Sequence, residues 1–224
     1  MTILITGING QLGKALINSN KENKNVIGFN KDQFNLEDFN HCKDLILNIK
    51  PKWVINTAAY TDVNNAEREE QKAFRINSFG VENIAKAVST YGGKILHIST
   101  DFVFDGTSGI SYKPMDKCNP LNVYGSSKYL GEQLIMKYRN VLVLRTSWLY
   151  GPSGSNFCLT ILKMCKLLAK EKKPLKVVSD QISCPTSSIY LAEICWKFIN
   201  LFNNKDFSSE IFHWSNSGVA SWYD

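Results

Sequence analysis

The sequence predicts an α/β fold in which helices cover a doubly wound, Rossmann-like parallel sheet. Short apolar or β-branched runs alternate with longer stretches of helical period, as expected when each parallel strand is followed by a crossover helix. A glycine-rich turn separates the first apolar run from the first helical stretch. The 224 residues are 44% hydrophobic and 21% charged, which excludes disordered and fibrous proteins and allows a sizeable core.

The predicted elements follow one another without a clear linker. Periodicity and turn residues predict strands at 2–6, 25–29, 53–56, 94–99, 141–145, 175–178 and 210–214. Helices are predicted at 11–19, 36–50, 65–91 with a break near Asn77, 123–138, 156–170 and 187–200. Pro51 closes the second of these helices.

The charge pattern argues against nucleic-acid binding. The net charge is +6, but only four of the 26 basic residues are Arg. Because phosphate and base recognition favours Arg forks, we expect no nucleic-acid partner. An anionic small substrate remains compatible with this charge.

The remaining composition indicates a cytoplasmic protein without a metal site. The six cysteines form no C-x-x-C pair and no metal-ligand spacing with histidine, so they are expected to be reduced thiols. The opening apolar run is too short for a secretory signal, and no run is long enough to span a membrane. His41, His97 and His213 are isolated in the sequence and are interpreted as structural.

The glycine-rich loop after the first strand predicts dinucleotide binding. Gly7, Gly10 and Gly13 form a G-x-x-G-x-x-G pattern that opens a helix. A strand that ends in such a turn aims the free N–H groups of the next helix at a phosphate. The missing side chains let a pyrophosphate approach the backbone.

Two residues after the second strand bear on the choice of cofactor. Where an acid often holds the adenosine ribose, this chain has Asn30 followed by Lys31. A carboxylate would repel a 2′-phosphate, whereas Asn tolerates it and Lys attracts it. The predicted cofactor is therefore NADPH, with NADH as the alternative. Under the competing interpretation, both residues are neutral to cofactor choice and Lys31 is simply solvated.

A catalytic pair is predicted at the start of the helix at 123–138. Tyr124 and Lys128 form Y-x-x-x-K, which places both side chains on one helix face. An adjacent ammonium favours a phenolate, so Lys128 is expected to lower the pKa of Tyr124. Thr100 ends the fourth strand, at the sheet edge where ligands bind, and is placed to hydrogen-bond a substrate carbonyl or the phenol.

Longer strings of residues carry a more specific resemblance. They are Ala58-Ala59-Tyr60-Thr61, residues 99–106 (STDFVFDG), residues 120–125 (PLNVYG), residues 145–151 (RTSWLYG), Asp180-Gln181 with Pro185-Thr186, and residues 221–224 (SWYD). On these strings the chain resembles the dTDP-4-dehydrorhamnose reductases, an extended short-chain dehydrogenase/reductase family, over essentially its whole length. The resemblance implies NADPH-dependent reduction of the 4-keto group of dTDP-4-dehydro-L-rhamnose to dTDP-L-rhamnose.

The resemblance also implies residue roles. Tyr124 would protonate the carbonyl oxygen, Lys128 would hold the nicotinamide ribose, and Thr100 would orient the hydrogen bond. The sugar nucleotide would contact Thr100, Asp101 and Trp148. The expected cofactor contacts are Gly7, Gly10, Gln11, Leu12, Gly13, Asn30, Lys31, Asn35, Leu36, Ala58, Ala59, Tyr60, Tyr124 and Lys128.

Three positions depart from the family pattern. Asn30 and Asn35 stand where the family commonly has Asp, and Ser183 stands where it usually has Gly. Ser183 costs stability only if that position needs a positive φ. The contacts to the ribose and adenine are therefore less securely predicted than the catalytic pair.

Two other functions share these features. A regulatory subunit resembling the β subunit of methionine adenosyltransferase would bind NADP without turnover. A related reductase or epimerase would act on a UDP- or GDP-linked 4-keto sugar. If the chain is an enzyme, whether the reductase that the resemblance implies or a related one, its expected partner is a small nucleotide-sugar substrate. A homodimer is left open.

The length divides the chain into an expected dinucleotide-binding domain and an incomplete lobe. Residues 1–150 form the first, and residues 151–224 start a substrate-binding lobe and add elements that return to the sheet. Family members are longer, and residues 221–224 resemble a helix N-cap with its first turn. The chain is therefore expected to be a shortened form that keeps the cofactor site and catalytic pair and lacks part of the substrate lobe.

Overall fold

In the computed structural model, which describes residues 1–20, 24–154 and 156–224, the predicted alternation of strands and helices is present. The strands are β1 (Thr2–Thr6), β2 (Asn25–Phe29), β3 (Trp53–Asn56), β4 (Lys94–Thr100), β5 (Val141–Thr146), β6 (Leu149–Tyr150), β7 (Ile182–Ser183), β8 (Thr186–Ser187), β9 (Glu210–His213) and β10 (Ala220–Ser221). The helices are α1 (Gln11–Asn18), α2 (Phe39–Ile49), α3 (Val63–Ala66), α4 (Glu70–Phe74), α5 (Val81–Ser89), α6 (Val123–Ile135), α7 (Phe157–Glu171) and α8 (Ser188–Phe202). A π-helical segment spans Arg75–Gly80, and a 3-10 turn spans Asp101–Val103.

Six strands form the main parallel sheet in the order β2-β1-β3-β4-β5-β9. Strand β1 pairs with β2 on one side and with β3 on the other, so the chain reverses its direction across the sheet after β2. Open α/β sheets bind ligands at such a switch point, outside the carboxyl ends of the strands. The predicted doubly wound parallel fold is confirmed.

Both faces of the sheet are buried, because successive side chains of a strand point to opposite faces. Ile3 and Ile5 of β1 pack on one face in a cluster with residues of α1 and α8. Leu4 packs on the other face in a cluster with residues of α2, α5 and α6. Helix α6, which carries the predicted catalytic pair, therefore covers the second face.

The last third of the chain contributes to the same core. Strand β9 extends the main sheet by pairing with β5, and α8 packs beside α1. The indole N–H of Trp196 on α8 donates to Ser19 Oγ, 3.0 Å away, at the end of α1. Among the described helices, none is long and apolar enough to cross a membrane.

The helix predicted at 65–91 differs from the structure in a way that matters for the site. The structure has two short helices, α3 and α4, and then a π-helical turn that runs directly into α5. The predicted break near Asn77 is instead this wider π-helical turn, in which Asn77 is buried. Its amide donates to Tyr60 O and to Ser127 Oγ, so the turn joins the chain after β3 to α6.

Two other predictions need correction. Helix α2 begins at Phe39 rather than residue 36, because Asp38 caps it by accepting a hydrogen bond from the His41 backbone N–H. The strand predicted at 175–178 does not form. Its β-branched composition favours a strand only beside a partner, and β9 occupies the outer edge of β5.

Candidate active site

A cavity of about 900 Å³ opens at the carboxyl edge of the main sheet. Segments that follow β1, β3, β4 and β5 line it, together with Tyr124 and Lys128 from α6. Apart from Asn30, every residue predicted to bind cofactor or substrate lies on its wall. The fold thus gathers residues that are far apart in the sequence.

The glycine loop is closely packed, and two of its glycines leave no space for a side chain. Gly7 has a φ of +71°, and a Cβ there would lie 2.9 Å from the backbone nitrogen of Ala58. A Cβ on Gly13 would collide with the carbonyl oxygen of Gly7. Gly10 caps α1 without a side-chain hydrogen bond, so no Gly10 side chain competes with a ligand for the first N–H groups of the helix.

The segment after β2 forms a tight turn at the edge of the cavity. Asn30 Oδ1 accepts hydrogen bonds from the backbone N–H groups of Asp32 and Gln33, at 2.9 and 3.0 Å. The Asn30 side chain is therefore engaged in the turn and is not brought to the cavity wall. Lys31 and Asn35 do line the cavity, and Asp32 adds a carboxylate that the sequence analysis did not single out.

Helix α6 is capped at its first turn, where the predicted catalytic pair begins. Asn122 Oδ1 accepts a hydrogen bond from the Gly125 N–H at 2.7 Å, which is a standard helix N-cap. Glu67 Oε1 accepts from the Val123 N–H at 2.8 Å. A Cβ at Gly125 would collide with the carbonyl oxygen of Phe102, so glycine lets the helix approach the chain after β4.

Tyr124 is partly buried at the cavity wall, and its burial raises the pKa of the phenol to about 12. A hydrogen bond with the Thr100 side chain lowers this pKa, and the charge of Asp101 raises it. The expectation that Lys128 would bring the pKa down is wrong for this structure, because burial outweighs the other effects. The phenol is consequently protonated at neutral pH, which is the form that donates a proton.

Lys128 is only 2% exposed, and its ammonium nitrogen has two polar neighbours. Its Nζ donates to the carbonyl oxygen of Ile98 at 2.7 Å and lies 3.2 Å from Nε2 of His97. Burial lowers its pKa to about 8, and the charge of Glu132 opposes that shift. His97, interpreted from the sequence as an isolated structural residue, is thus a direct neighbour of the predicted catalytic lysine.

Asp101 is fixed from two sides. Thr100 Oγ1 donates to Asp101 Oδ1 at 3.2 Å, and Ser183 Oγ donates to Asp101 Oδ2 at 2.8 Å. Burial raises the pKa of Asp101, and these two hydrogen bonds lower it. Ser183 has no positive φ, so the serine at this position introduces no left-handed strain.

Aromatic rings line the cavity near β6. The Trp148 ring lies 4.0 Å from the Trp222 ring, centroid to centroid, and Phe157 meets Trp222 edge-on at 4.1 Å. Trp148 has a φ of +33°, an unusual backbone conformation for a bulky residue. Ser221 Oγ accepts from the Asp224 N–H while Asp224 Oδ2 accepts from the Ser221 N–H, which is the reciprocal pattern of a capping box, but residues 222–224 form no helix.

Known proteins are similar to this chain in sequence and in fold over its whole length. The family model described as RmlD substrate binding domain matches residues 1–224. The spore coat polysaccharide biosynthesis protein SpsK of Bacillus subtilis is 40% identical over 224 residues, which are 99% of this chain and 76% of SpsK. The dTDP-4-dehydrorhamnose reductase of Escherichia coli K12 is 36% identical over 100% of this chain and 75% of that protein.

Solved structures of proteins with the same name have the same fold as this chain. The dTDP-4-dehydrorhamnose reductase of Bacillus anthracis, crystallised with NADP, superposes with a TM-score of 0.90 at 37% identity, over 99% of this chain and 76% of that one. The Clostridium acetobutylicum structure of a dTDP-4-dehydrorhamnose reductase gives a TM-score of 0.92 at 36% identity, over 100% and 77%. The chain thus spans about three quarters of the length of these relatives.

Proposed function

The chain belongs to the dTDP-4-dehydrorhamnose reductase family, and from that membership we infer that it catalyses NADPH-dependent reduction of the 4-keto group of dTDP-4-dehydro-L-rhamnose. The product is dTDP-L-rhamnose. One observation carries the proposal: Tyr124, Thr100 and Lys128 line the same cavity as the glycine loop. The proposed proton donor and the proposed dinucleotide-binding loop therefore face the same cavity.

Residues of the glycine loop and of α6 would hold the cofactor. The N–H groups at the start of α1 would bind the pyrophosphate. Gly7 and Gly13 allow the close backbone packing that shapes this loop. Lys31 would attract the 2′-phosphate, and the Lys128 ammonium would bind the nicotinamide ribose. Bound NADPH supplies the hydride for the sugar C4.

Tyr124 would donate the proton that completes the reduction. Its raised pKa keeps the phenol protonated, and the alkoxide that develops on the substrate is a much stronger base than a phenolate. The hydrogen bond with Thr100 fixes the direction of the hydroxyl and stabilises the phenolate left after transfer.

Asp101 and Trp148 would position the sugar nucleotide. Asp101 is held by Thr100 and Ser183, so its carboxylate is ordered before a ligand arrives. Trp148 presents an aromatic ring at the cavity wall after β5, tilted against the ring of Trp222. An aromatic wall of this kind suits a nucleotide base or a sugar ring.

The test is NADPH oxidation by the purified chain on addition of dTDP-4-dehydro-L-rhamnose. We expect oxidation that depends on substrate and is lost in Tyr124→Phe. UDP- and GDP-linked 4-keto sugars in parallel reactions would identify the alternative reductases. NADPH binding without turnover of any of these substrates would refute the reductase proposal and favour a binding subunit.

A further inference from the structure

Three polar side chains lie side by side in the core of the sheet, beneath Lys128. Thr6, Asn56 and His97 are at most 1% exposed. They belong to β1, β3 and β4, and the strand register pairs Thr6 with Asn56 and Asn56 with His97. All three point to the face of the sheet that α6 covers, because they alternate with residues packed on the opposite face. We call these three residues the polar rung.

The polar rung is bounded by apolar residues in the neighbouring strands. The same register continues to Phe29 on β2 and to Val143 on β5. Polar groups buried in a sheet core cost free energy unless they are hydrogen-bonded. At this level of the sheet, polar side chains therefore occur only on β1, β3 and β4, and the last of them, His97, lies next to the charged group of Lys128.

Hydrogen bonds connect the rung into one chain. Thr6 Oγ1 lies 2.6 Å from Asn56 Oδ1, and Asn56 Nδ2 lies 3.0 Å from His97 Nδ1. His97 Nε2 lies 3.2 Å from Lys128 Nζ. Burial and the charge of Lys128 hold the pKa of His97 well below its usual range, so the imidazole is neutral. A neutral imidazole has one N–H donor and one acceptor nitrogen.

Every hydrogen bond in this chain can be made with Lys128 either neutral or charged. When the lysine is a neutral amine, Thr6 donates to Asn56 Oδ1, Asn56 Nδ2 donates to His97 Nδ1, and His97 Nε2–H donates to the amine. When it is an ammonium, each bond reverses: Nε2 accepts from Lys128, Nδ1–H donates to Asn56, and Asn56 donates to Thr6. The Asn56 carboxamide fits both states because exchanging its oxygen and nitrogen leaves its shape unchanged.

We propose that His97 is a positioning residue, which acts through Lys128 by accepting a hydrogen bond from the ammonium and donating one to the neutral amine. Together with the carbonyl oxygen of Ile98, it fixes two of the directions around Nζ, and the remaining N–H group faces the cavity. The polar rung holds the ring in place and matches its tautomer to the charge of Lys128. This inference rests on the proposed reductase function for its catalytic consequence, but not for the hydrogen-bond chain itself.

Other charged and titratable groups also surround Lys128, and the test has to separate their effects. Glu132, one turn farther along α6, raises the pKa of Lys128. The elements packed around α6 carry further charged or titratable groups. They are Tyr124 on α6 itself, Asp101 in the turn after β4, Arg145 on β5, Glu67 after α3, Glu69 and Lys72 near α4, Arg75 in the π-helical turn, and Glu82 on α5.

Nuclear magnetic resonance of ring nitrogens in ¹⁵N-histidine-labelled protein tests the chain without turnover. We expect the His97 proton to move from Nδ1 to Nε2 as the pH rises, with a midpoint near the Lys128 pKa of about 8. In Lys128→Met, which removes the partner charge, the tautomer should not depend on pH in this range. A His97 tautomer that is constant in the wild-type protein, or that changes equally in Lys128→Met, overturns the proposal.

Two variants test the consequence for the site. In His97→Leu the ammonium loses an acceptor, so the Lys128 pKa should fall and the alkaline limb of kcat should move down by about one pH unit. The affinity for NADPH, to which Lys128 is proposed to contribute, should fall about tenfold at neutral pH. His97→Gln should recover most of both properties, because its side-chain oxygen can accept from the ammonium.

Lys94→Met is the matched control. Like Lys128, Lys94 is a buried lysine, but it lies on β4, and its Nζ donates to the carbonyl oxygen of Lys205 away from the cavity. This variant should lower the free energy of unfolding and leave the NADPH affinity and the pH profile unchanged. If His97→Leu behaves like Lys94→Met in all three measurements, His97 is only structural. Absence of turnover in the wild-type protein would count against the reductase function alone, since the tautomer and NADPH-binding measurements stand without it.

Discussion

Ser183 Oγ donates a 2.8 Å hydrogen bond to Asp101 Oδ2 and so ties the short strand β7 to the turn after β4. The two residues are 82 positions apart in the chain. Asp101 lies on the cavity wall, and β7 pairs with β10, whose residues also line the cavity. A serine at this position therefore links two parts of the proposed substrate site.

Removing this hydrogen bond should weaken substrate binding and leave the cofactor site intact. The bond lowers the pKa of Asp101 and opposes the effect of burial, so Ser183→Ala should raise that pKa. Asp101 is a carboxylate only at a pH above its pKa, and the carboxylate is the form proposed to bind substrate. The acid limb of kcat/KM should therefore move to higher pH. We expect KM for the sugar nucleotide to rise about threefold to tenfold, on the scale of one hydrogen bond. An unchanged KM together with an unchanged acid limb would contradict this role.

Tyr124→Phe should lower kcat about 100-fold or more, the usual scale for loss of a general acid. The ring still packs edge-on against Phe102, so folding and NADPH binding should be retained. Thr100→Val should have a smaller effect on kcat, because the proton donor remains and the variant removes the hydrogen bonds of Thr100 with Tyr124 and Asp101. Rates close to wild type in Tyr124→Phe would displace this residue as the proton donor.

The buried ion pair between Glu132 and Arg145 should dominate the stability of this region. Arg145 Nη2 lies 2.6 Å from Glu132 Oε2, and both side chains are at most 3% exposed. Removing one partner leaves a buried charge, so Glu132→Ala should cost about 3–5 kcal/mol of the free energy of unfolding, measured in urea.

The exposed pair of Glu82 and Lys137 provides the control for that measurement. Their side chains are 26% and 52% exposed, and solvent screens their attraction. Glu82→Ala should therefore change the urea midpoint only slightly. Equal losses in the two variants would show that burial does not decide the outcome.

Two glycines with nearly the same φ separate backbone strain from cofactor binding. Gly7 has a φ of +71° and Gly92 one of +73°, but only a Cβ at Gly7 would meet neighbouring atoms. Gly92→Ala should cost about 1–2 kcal/mol of stability from the left-handed conformation and leave NADPH affinity unchanged. Gly7→Ala should in addition weaken NADPH binding at least about tenfold, because the loop must move away from Ala58. Titration of both variants with NADPH measures the difference, and equal affinities would argue against this loop as the pyrophosphate site.

Sequence patterns predicted the elements of the main sheet, because continuous apolar runs and a glycine turn are local signals. They did not predict the connection between His97 and Lys128. Thr6, Asn56 and His97 are ordinary polar residues of mainly apolar strands, and only the register of three parallel strands brings them together. The signal was present as a polar residue in each of three core strands, but spacing along the chain cannot give strand order.

Local patterns failed for a similar reason elsewhere. Residues 175–178 have strand composition, but pairing depends on an open sheet edge, which no local pattern reveals. The expected effect of Lys128 on Tyr124 followed from their spacing on a helix. Burial, which reverses the sign of the pKa shift, depends on the elements packed around that helix. The contact between Ser183 and Asp101 likewise requires the folded position of β7.

Asn30→Asp should shift the preference between NADPH and NADH without disturbing the turn that Asn30 holds. Asn30 Oδ1 accepts two backbone hydrogen bonds, and a carboxylate oxygen in Asn30→Asp can accept the same two. The added negative charge would lie next to Lys31, where we place the 2′-phosphate of NADPH. The ratio of the dissociation constants for NADPH and NADH should therefore shift about tenfold or more toward NADH. Asp32→Asn, which removes a carboxylate from the cavity wall, should shift the ratio in the opposite direction. If both variants bind the two cofactors with the wild-type ratio, this segment does not contact the 2′-phosphate, and Lys31 is a solvated surface residue.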